Sequence, residues 1–263
     1  MKNLKFTWIN ICIAILVIII VVLLIYVIVK KIKAKKIEGF INNKPQPFPG
    51  GMNNVDQILF INLDKRPDRL ESITKQLEEQ KVDMNKVHRI KAHYTPGNGH
   101  LGCAKSHLDA LKYASENGFA NVLVLEDDFK FNTKPEQTHQ MFNDLFGKMN
   151  NKQWDVVMLT HMYGKEKDTQ FPFLKEVKKA QTSSGYLINR EYYPILIKTF
   201  EKSVKNMPSD RTSGVNWEDW ALDQAWKPNQ EADRWFVFNP FIGKQDEELG
   251  STIQEITNYN NKK

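Results

Sequence analysis

The sequence has too few cysteines for a disulfide framework. Only Cys12 and Cys103 occur among 263 residues, and Cys12 lies in a long apolar run, so no thiol pair exists in the rest of the chain. Cys103 also lacks an identifiable partner base and is interpreted as a small packed residue rather than a nucleophile. No Asn-x-Ser/Thr glycosylation motif follows the apolar run. Both absences favour a cytoplasmic location.

The chain also lacks an excess of positive charge outside its N-terminal segment. Residues 1–38 hold seven lysines and one glutamate, which account for the whole net charge of +6. Taking these from the totals of 37 basic and 31 acidic side chains leaves 30 of each. A surface that binds phosphate backbones needs local positive excess, so the composition argues against nucleic acid as a partner.

One long hydrophobic run is present. From Phe6 to Val29 there is no charged residue, and about 20 apolar residues span a bilayer core as a helix. The run is longer than the apolar region of a cleaved signal peptide and ends in lysines, which predicts a transmembrane signal-anchor over residues 1–36. Two lysines precede the run and five follow it, so the positive-inside rule favours a cytoplasmic body, with a lumenal orientation left open.

A tether is predicted over residues 37–54, because Pro45, Pro47, Pro49 and the pair Gly50-Gly51 interrupt any apolar periodicity. Residues 55–263 are then enough for one well-buried domain. Strands are predicted at 57–62, 87–92, 121–125, 154–159, 185–188 and 234–238, and helices at 67–80, 101–117, 135–149 and 192–204. This alternation predicts an α/β fold with a mostly parallel sheet, whose ligands bind beyond the carboxyl ends of the strands.

Two predicted strands end in charged residues. Three consecutive acids, Glu126, Asp127 and Asp128, follow the strand at 121–125, and Asp64, Arg66 and Arg69 follow the first strand. Clustered carboxylates are typical ligands of Mg²⁺ and Mn²⁺. The alternative is a solvated turn whose acids only cap the next element. The short helix start Gly102–His107 lies between the two charged runs in the sequence.

The runs ILFINLDKRPDRL (58–70), HLGCAKSHLDAL (100–111) and VLVLEDDF (122–129) resemble the pattern of glycosyltransferase family 25. Weaker matches continue through residues 183–190, 217–223 and 236–253. The resemblance implies a GT-A-like nucleotide-diphospho-sugar transferase fold that binds a UDP-sugar and Mn²⁺ or Mg²⁺. It covers residues 56–253 and departs from the family at Lys105, where a hydrophobic residue usually precedes Ser-His.

The resemblance also implies roles for the charged residues. Glu126, Asp127 and Asp128 would hold the metal. Asp128 would contact it directly, and Asp127 would contact the ribose or a metal-bound water. The nucleotide would be bound by Asp64, Arg66 and Arg69, and Ser106 or His107 would donate a hydrogen bond to the sugar or phosphate. Two alternatives stay open: Arg66 and Asp68 form a solvated helix start, and His107 is a satisfied residue that fixes its helix to the sheet.

Family members that transfer galactose invert the anomeric centre, which requires a base for the acceptor hydroxyl. Asp219 and Asp223, with Glu218 behind them, are the candidates, and Asp219 is preferred because it matches the family's acidic position. Neighbouring tryptophans at 217, 220 and 226 suit sugar stacking, and the alternative is an amphipathic helix that buries them.

The expected activity is metal-dependent transfer of a hexose, galactose being the family's common choice, to a glycan, lipid-linked or protein acceptor. The alternatives are a degenerate member that binds nucleotide-sugars or acts as a scaffold without turnover, and a metal-dependent phosphohydrolase that uses the same acids.

Overall fold

The computed structural model describes residues 8, 10, 11, 13, 17–32 and 47–250, apart from 212 and 215. The chain divides into two units, residues 1–45 and 46–263. In the first unit, residues 17–32 form helix α1, whose side chains are exposed. Within the part of the chain that the structure describes, no helix has both the length and the apolar character of a membrane span. The apolar run from residue 6 to 29 lies partly outside the described residues.

The second unit contains an eight-stranded sheet. Its strands are β1 Gln57–Asn62, β2 Val87–Lys91, β3 Asn121–Glu126, β5 Val156–Met158, β6 Lys165–Asp168, β7 Leu174–Lys178, β8 Gly185–Asn189 and β9 Trp235–Phe238. They follow the order β2-β1-β3-β8-β5-β9-β7-β6 across the sheet.

Six of these eight strands run in the same direction, and β7 and β8 run opposite to them. The expected α/β fold with a mostly parallel sheet is therefore confirmed. The three strands β2, β1 and β3 are parallel neighbours, so their carboxyl ends meet at one edge of the sheet.

Helices cover both faces of the sheet. They are α2 Pro67–Glu79, α3 Gly99–Glu116, α4 Pro135–Lys148, α5 Tyr193–Asn206, α6 Leu222–Ala225 and α7 Lys227–Ala232. Strand residues alternate between the two faces, because successive side chains in a strand point in opposite directions. Leu59 and Val124 pack on one face with α3 and α5, and Ile58, Leu123 and Leu125 pack on the other with α2 and α4.

Residues 48–54, which the sequence assigns to the tether, fold against α4. Met52 and Val55 are fully buried. The backbone N–H of Gly51 donates to Asn143 Oδ1 at 2.6 Å, that of Met52 donates to His139 Nδ1 at 3.2 Å, and Phe48 stacks on the His139 ring. The globular unit therefore includes these residues ahead of position 55, and residues 37–46 of the expected tether lie outside the described residues.

A second, two-stranded sheet lies beside the end of β3. It pairs β4 Phe129–Phe131 with β10 Gly243–Gln245 in antiparallel register, with Gln245 opposite Phe129. The backbone N–H of Asp246 donates to the carbonyl of Asp128 at 2.7 Å. This small sheet turns the chain sharply after β3 and fixes the acidic run in position.

Close backbone packing sets the start of α3. A Cβ built on Gly102 would lie 2.5 Å from the carbonyl oxygen of His93, in the segment after β2. Because a backbone carbonyl cannot rotate away, only glycine lets the helix approach this segment so closely. The first turn of α3 is thus held against the carboxyl end of β2.

The substitution Gly102→Ala is expected to lower the free energy of unfolding by about 1–3 kcal/mol through this clash. The matched control is Gly147→Ala in the last turn of α4, where a Cβ meets nothing within 4 Å. There alanine should be neutral or stabilise by up to about 1 kcal/mol, because it favours the helix. Urea unfolding of the two full-length variants measures both effects, and equal stability of the two variants would contradict the packing argument.

Candidate active site

A cleft opens at the edge where β1, β2 and β3 end. The space between its walls is about 650 Å³, open solvent included. Its walls come from the ends of these strands, the first half of α3, and Gln245 of β10. The lining includes Arg69, His93, Tyr94, Cys103, Ser106, His107, Glu126, Asp127 and Asp128. The cleft thus lies where the rule for ligand sites in such sheets predicts it.

The carboxylate of Glu126 is held by two hydrogen bonds. Its Oε1 accepts from Ser183 Oγ at 2.5 Å and lies 3.2 Å from His107 Nε2. Burial acts to raise the pKa of Glu126, but the His107 and Ser183 hydrogen bonds and nearby positive charge outweigh it, so that the pKa is lowered overall. Glu126 is therefore ionised in the folded protein at neutral pH.

The carboxylate of Asp127 is held by two side chains, one at the end of β1 and one in α2. Arg69 Nη1 donates to its Oδ1 at 2.8 Å, and Asn62 Nδ2 donates to its Oδ2 at 2.7 Å. Burial raises the pKa of Asp127 in spite of the opposing charge of Arg69. Both carboxylate oxygens of Asp127 are thus already used by the protein.

Asp128 differs from its two neighbours because one of its oxygens has no partner. Its Oδ2 lies 3.2 Å from Arg69 Nη1 and 3.3 Å from Gln245 Nε2, whereas Oδ1 is buried and has no hydrogen-bond partner in the described structure. Burial, with the charges of Glu126 and Asp127, raises the pKa of Asp128 to about 7. A buried carboxylate oxygen without a partner is costly, which calls for a ligand at this position.

The chemistry of this site fits a divalent cation. The unpartnered oxygen of Asp128 belongs to a cleft that also contains two other acids, and Mg²⁺ and Mn²⁺ take carboxylate oxygens as ligands. A cation would also relieve the repulsion that raises the pKa of Asp128. Of the three acids predicted to bind metal, Asp128 has a free oxygen for direct contact, while Glu126 and Asp127 are tied to protein donors.

Ser106 and His107 line the cleft but are both fully buried and hydrogen-bonded within the protein. Ser106 Oγ donates to the carbonyl of Gly102 at 2.7 Å and accepts from the backbone N–H of His93 at 2.9 Å. His107 lies between Tyr186 Oη, 3.0 Å from its Nδ1, and Glu126. These contacts favour the alternative that His107 fixes α3 to the sheet, and they give Ser106 the same role toward the segment after β2.

Arg66 and Asp64 lie beyond the lining of the cleft. Arg66 donates to Asp68 Oδ2 at 2.7 Å and to the carbonyl of Leu249 at 2.8 Å, and the bond to Arg66 lowers the pKa of Asp68 to about 2. This pair matches the alternative of a charged helix start. Asp64 is exposed and forms ion pairs with Arg89 at 2.7 Å and Lys91 at 2.6 Å on β2.

The two candidate bases occupy different environments. Asp219 is exposed in a short 3-10 helix and accepts from Asn216 Nδ2 at 2.8 Å. Asp223 is half-buried in α6, and its Oδ2 accepts from the backbone N–H of Thr182 at 3.2 Å. The negative charge of Asp223 acts together with Glu126 to raise the pKa of Cys103, after burial, which has the largest effect. Asp223, rather than Asp219, is therefore electrostatically linked to the cleft.

The tryptophans near these acids differ in how far they are buried. Trp226 is fully buried among core residues, as the amphipathic alternative predicts. Trp217 is partly exposed, stacks on His100 with ring centroids 4.6 Å apart, and has the Arg211 guanidinium 3.8 Å from its ring centre.

Four side chains that were not predicted from the sequence hold the acids, hold His107 or line the cleft: Asn62, Ser183, Tyr186 and Gln245. Asn62 stands at the end of β1, so its position at a strand end was an available signal. Ser183 reaches Glu126 because β8 runs antiparallel to β3 and therefore starts, rather than ends, at the cleft edge. That reversal has no local signature in the sequence.

A family model described as Glycosyltransferase family 25 (LPS biosynthesis protein) matches residues 84–213. This range contains α3 and the acidic run, and it stops before Asp219 and Asp223. The protein is thus a glycosyltransferase enzyme. The match over residues 84–213 supports the resemblance to glycosyltransferase family 25 that the motifs suggest.

The chain is also similar to several solved structures. One is a mannose-1-phosphate geranyltransferase from Thermus thermophilus, at 10% identity over 73% of this chain and 76% of that chain, with a TM-score of 0.43. A glycosyltransferase involved in glycosylation of the major capsid of PBCV-1 has 11% identity, coverage of 79% and 98%, and a TM-score of 0.38. A mutant Drosophila β-1,4-galactosyltransferase 7, in complex with manganese, UDP-Gal and xylobiose, has 13% identity, coverage of 53% and 51%, and a TM-score of 0.29.

The raised pKa of Asp128 predicts a pH-dependent stability. Between the usual value of 3.8 and about 7 the folded protein binds a proton at Asp128 that the unfolded chain does not, so this residue lowers stability as pH rises through that window. In metal-free buffer, Asp128→Asn should be more stable than the natural chain above pH 7, by up to about 4 kcal/mol. The difference should vanish near pH 4. Urea unfolding across this pH range measures it, and a constant difference at every pH would show that Asp128 does not titrate in this window.

Proposed function

We propose that the protein is a metal-dependent, inverting glycosyltransferase that moves a hexose, galactose in the first instance, from a UDP-sugar to a glycan, lipid-linked or protein acceptor. The observation that carries the proposal is the buried, unpartnered Oδ1 of Asp128, at the end of β3 and inside the cleft. The match to family 25 over residues 84–213 supports sugar transfer, and the acidic run supports the metal.

Asp128 is the proposed protein ligand of the divalent cation, with Asp127 and Glu126 completing the negative site around it. When bound, the cation supplies a Lewis acid for the negative charge that forms on the departing nucleoside diphosphate. Arg69 orients Asp127 and Asp128 through its two short ion pairs, so the acids are held in place before any ligand arrives. Arg69 lines the cleft and is the favoured nucleotide contact, ahead of Arg66 and Asp64 at its margin.

Asp223 is the proposed base that takes the proton of the attacking acceptor hydroxyl. The backbone N–H of Thr182 and the side chain of Gln224, at 3.2 Å and 3.3 Å, orient its two oxygens. Attack on C1 from the face opposite the leaving diphosphate inverts that centre. Asp219, preferred from the sequence, is the second candidate because it stands four residues earlier in the same segment.

A series of three full-length asparagine variants tests these assignments, with turnover of UDP-galactose in Mn²⁺ as the measurement. Asp128→Asn is expected to lower kcat/KM at least about a hundredfold, because it removes the charge that holds the cation. Asp223→Asn should lower kcat by about 10²–10⁴ and leave KM for the donor nearly unchanged. Asp219→Asn is the matched control, since it makes the same exchange at an exposed position.

Each variant is checked for folding by thermal unfolding before assay. Full Mn²⁺-dependent turnover by Asp128→Asn would end the proposal of a metal held at that residue. A larger loss in Asp219→Asn than in Asp223→Asn would reverse the choice of base. Donor binding without product from any acceptor would favour the degenerate family member, and release of free phosphate would favour a phosphohydrolase.

We also propose that residues 1–36 anchor the enzyme in a membrane, with the transferase domain in the cytoplasm. The uncharged run from Phe6 to Val29 and the five lysines that follow it support this location. So does the exposure of apolar side chains along α1, such as Leu23 and Ile25.

The anchor predicts that the full chain stays in the membrane fraction after washing with alkaline carbonate. The wash disrupts ionic contacts at the membrane surface, whereas a helix inside the bilayer is held by its apolar side chains. Protease added to intact cells should leave the transferase domain uncut, because a cytoplasmic domain is out of its reach. The control is a chain with two lysines placed in the run, at Val21 and Ile25, which should appear in the soluble fraction. Carbonate release of the unchanged chain contradicts the anchor, and digestion in intact cells contradicts the orientation.

A further inference from the structure

Three side chains of different chemistry meet at the floor of the cleft. A ligand atom of each of Cys103, His107 and Glu126 lies within 4.8 Å of the other two. Cys103 and His107 are one helical turn apart on α3, so they share a face of that helix, and Glu126 ends the strand that this face covers. No other group of three such side chains lies so close together in the described part of the chain.

The surroundings of His107 suit a metal ligand. Its Nδ1 lies 3.0 Å from Tyr186 Oη, and a tyrosine hydroxyl can either donate or accept a hydrogen bond. In the metal-free site the Nε2–H donates to Glu126. Metal binding uses the other tautomer of the neutral ring, in which Nδ1–H donates to Tyr186 Oη and the lone pair of Nε2 is free for the cation. Histidines that bind metals are commonly oriented by such a partner on the other ring nitrogen.

The carboxylate of Glu126 has a similar support, because Ser183 Oγ donates to its Oε1 at 2.5 Å. Cys103 is half-buried and lines the cleft, so the cluster has an open side toward solvent. Zn²⁺ binds cysteine sulfur, histidine nitrogen and carboxylate oxygen, and catalytic zinc sites have three protein ligands and one open position. Mg²⁺ and Mn²⁺ prefer oxygen ligands, so this cluster and Asp128 differ in the ions that they select.

We propose that Cys103, His107 and Glu126 form a second metal site, for Zn²⁺ or a similar thiophilic divalent ion, with its fourth position open to the cleft. Binding replaces the contact between His107 and Glu126 with two metal–ligand bonds, and the thiol proton of Cys103 passes to solvent as the sulfur–metal bond forms. Because the site forms part of the cleft floor, its occupant shares the space in which the donor is proposed to bind.

The test uses Co²⁺ as a spectroscopic substitute for Zn²⁺, added to the full-length chain that carries Cys12→Ser, so that Cys103 is the one remaining thiol. We expect a near-ultraviolet thiolate-to-cobalt absorption band that Zn²⁺ abolishes and Mg²⁺ does not. The further exchange Cys103→Ser should remove the band and lower the affinity for Zn²⁺ at least about tenfold. Absence of the band in the Cys12→Ser chain, or its persistence after Cys103→Ser, overturns the proposal.

A second measurement requires no change in the cluster. Zn²⁺ should protect the Cys103 thiol of the Cys12→Ser chain from alkylation by a maleimide, and an equal alkylation rate with and without Zn²⁺ would overturn the proposal. Tyr186→Phe should keep the cobalt band but weaken Zn²⁺ binding by about 10–100-fold, because the histidine loses its orienting partner.

The variant Asp128→Asn separates this site from the proposed transferase activity. It should retain the cobalt band, because Asp128 is not one of the three ligands. Loss of the band in Asp128→Asn would place the cobalt at the carboxylates and refute the thiolate site.

Discussion

The buried guanidinium of Arg69 is the interaction on which the cleft depends. It lies 2.8 Å from Asp127 and 3.2 Å from Asp128, and all three side chains are almost completely removed from solvent. Without Arg69, the carboxylates of Asp127 and Asp128 would be buried beside Glu126 with no opposite charge nearby. Burying an unpaired charge costs several kcal/mol. The positive charge satisfies Asp127 and only part of Asp128, so the site keeps one unpartnered oxygen for a cation.

Much of the architecture could be predicted from the sequence, because apolar runs and helical spacing report local structure. The strand at 57–62 and the helix starts at Pro67 and Pro135 agree with the structure. Other features depend on the rest of the fold. The exposed β6 has no apolar pattern, and the short β4 and β10 exist because they pair with each other across more than 100 residues. Residues 48–54 contain a proline and two glycines typical of a linker, yet tertiary packing on His139 orders them.

The candidate site, like the fold, could be predicted from the sequence only in part. The position of the acidic run and of Cys103–His107 at one cleft follows from strand ends that meet at one sheet edge, a rule of topology. Which acid has a free oxygen could not be predicted, because it depends on where Asn62, Arg69 and Ser183 place their donors. The choice between Asp219 and Asp223 also depended on exposure, since the two lie on the same short segment and differ in how far they are buried.

The outer strand of the main sheet has a consequence for self-association. The residues of strand β6, Lys165, Glu166, Lys167 and Asp168, are all exposed and all charged. An open strand edge offers unpaired backbone groups on which another chain can continue the sheet. A second copy adding there would have to strip water from a full row of ionic groups on both chains, with little apolar surface gained in return. At this edge the molecule is therefore protected against growth into larger, intermolecular sheets.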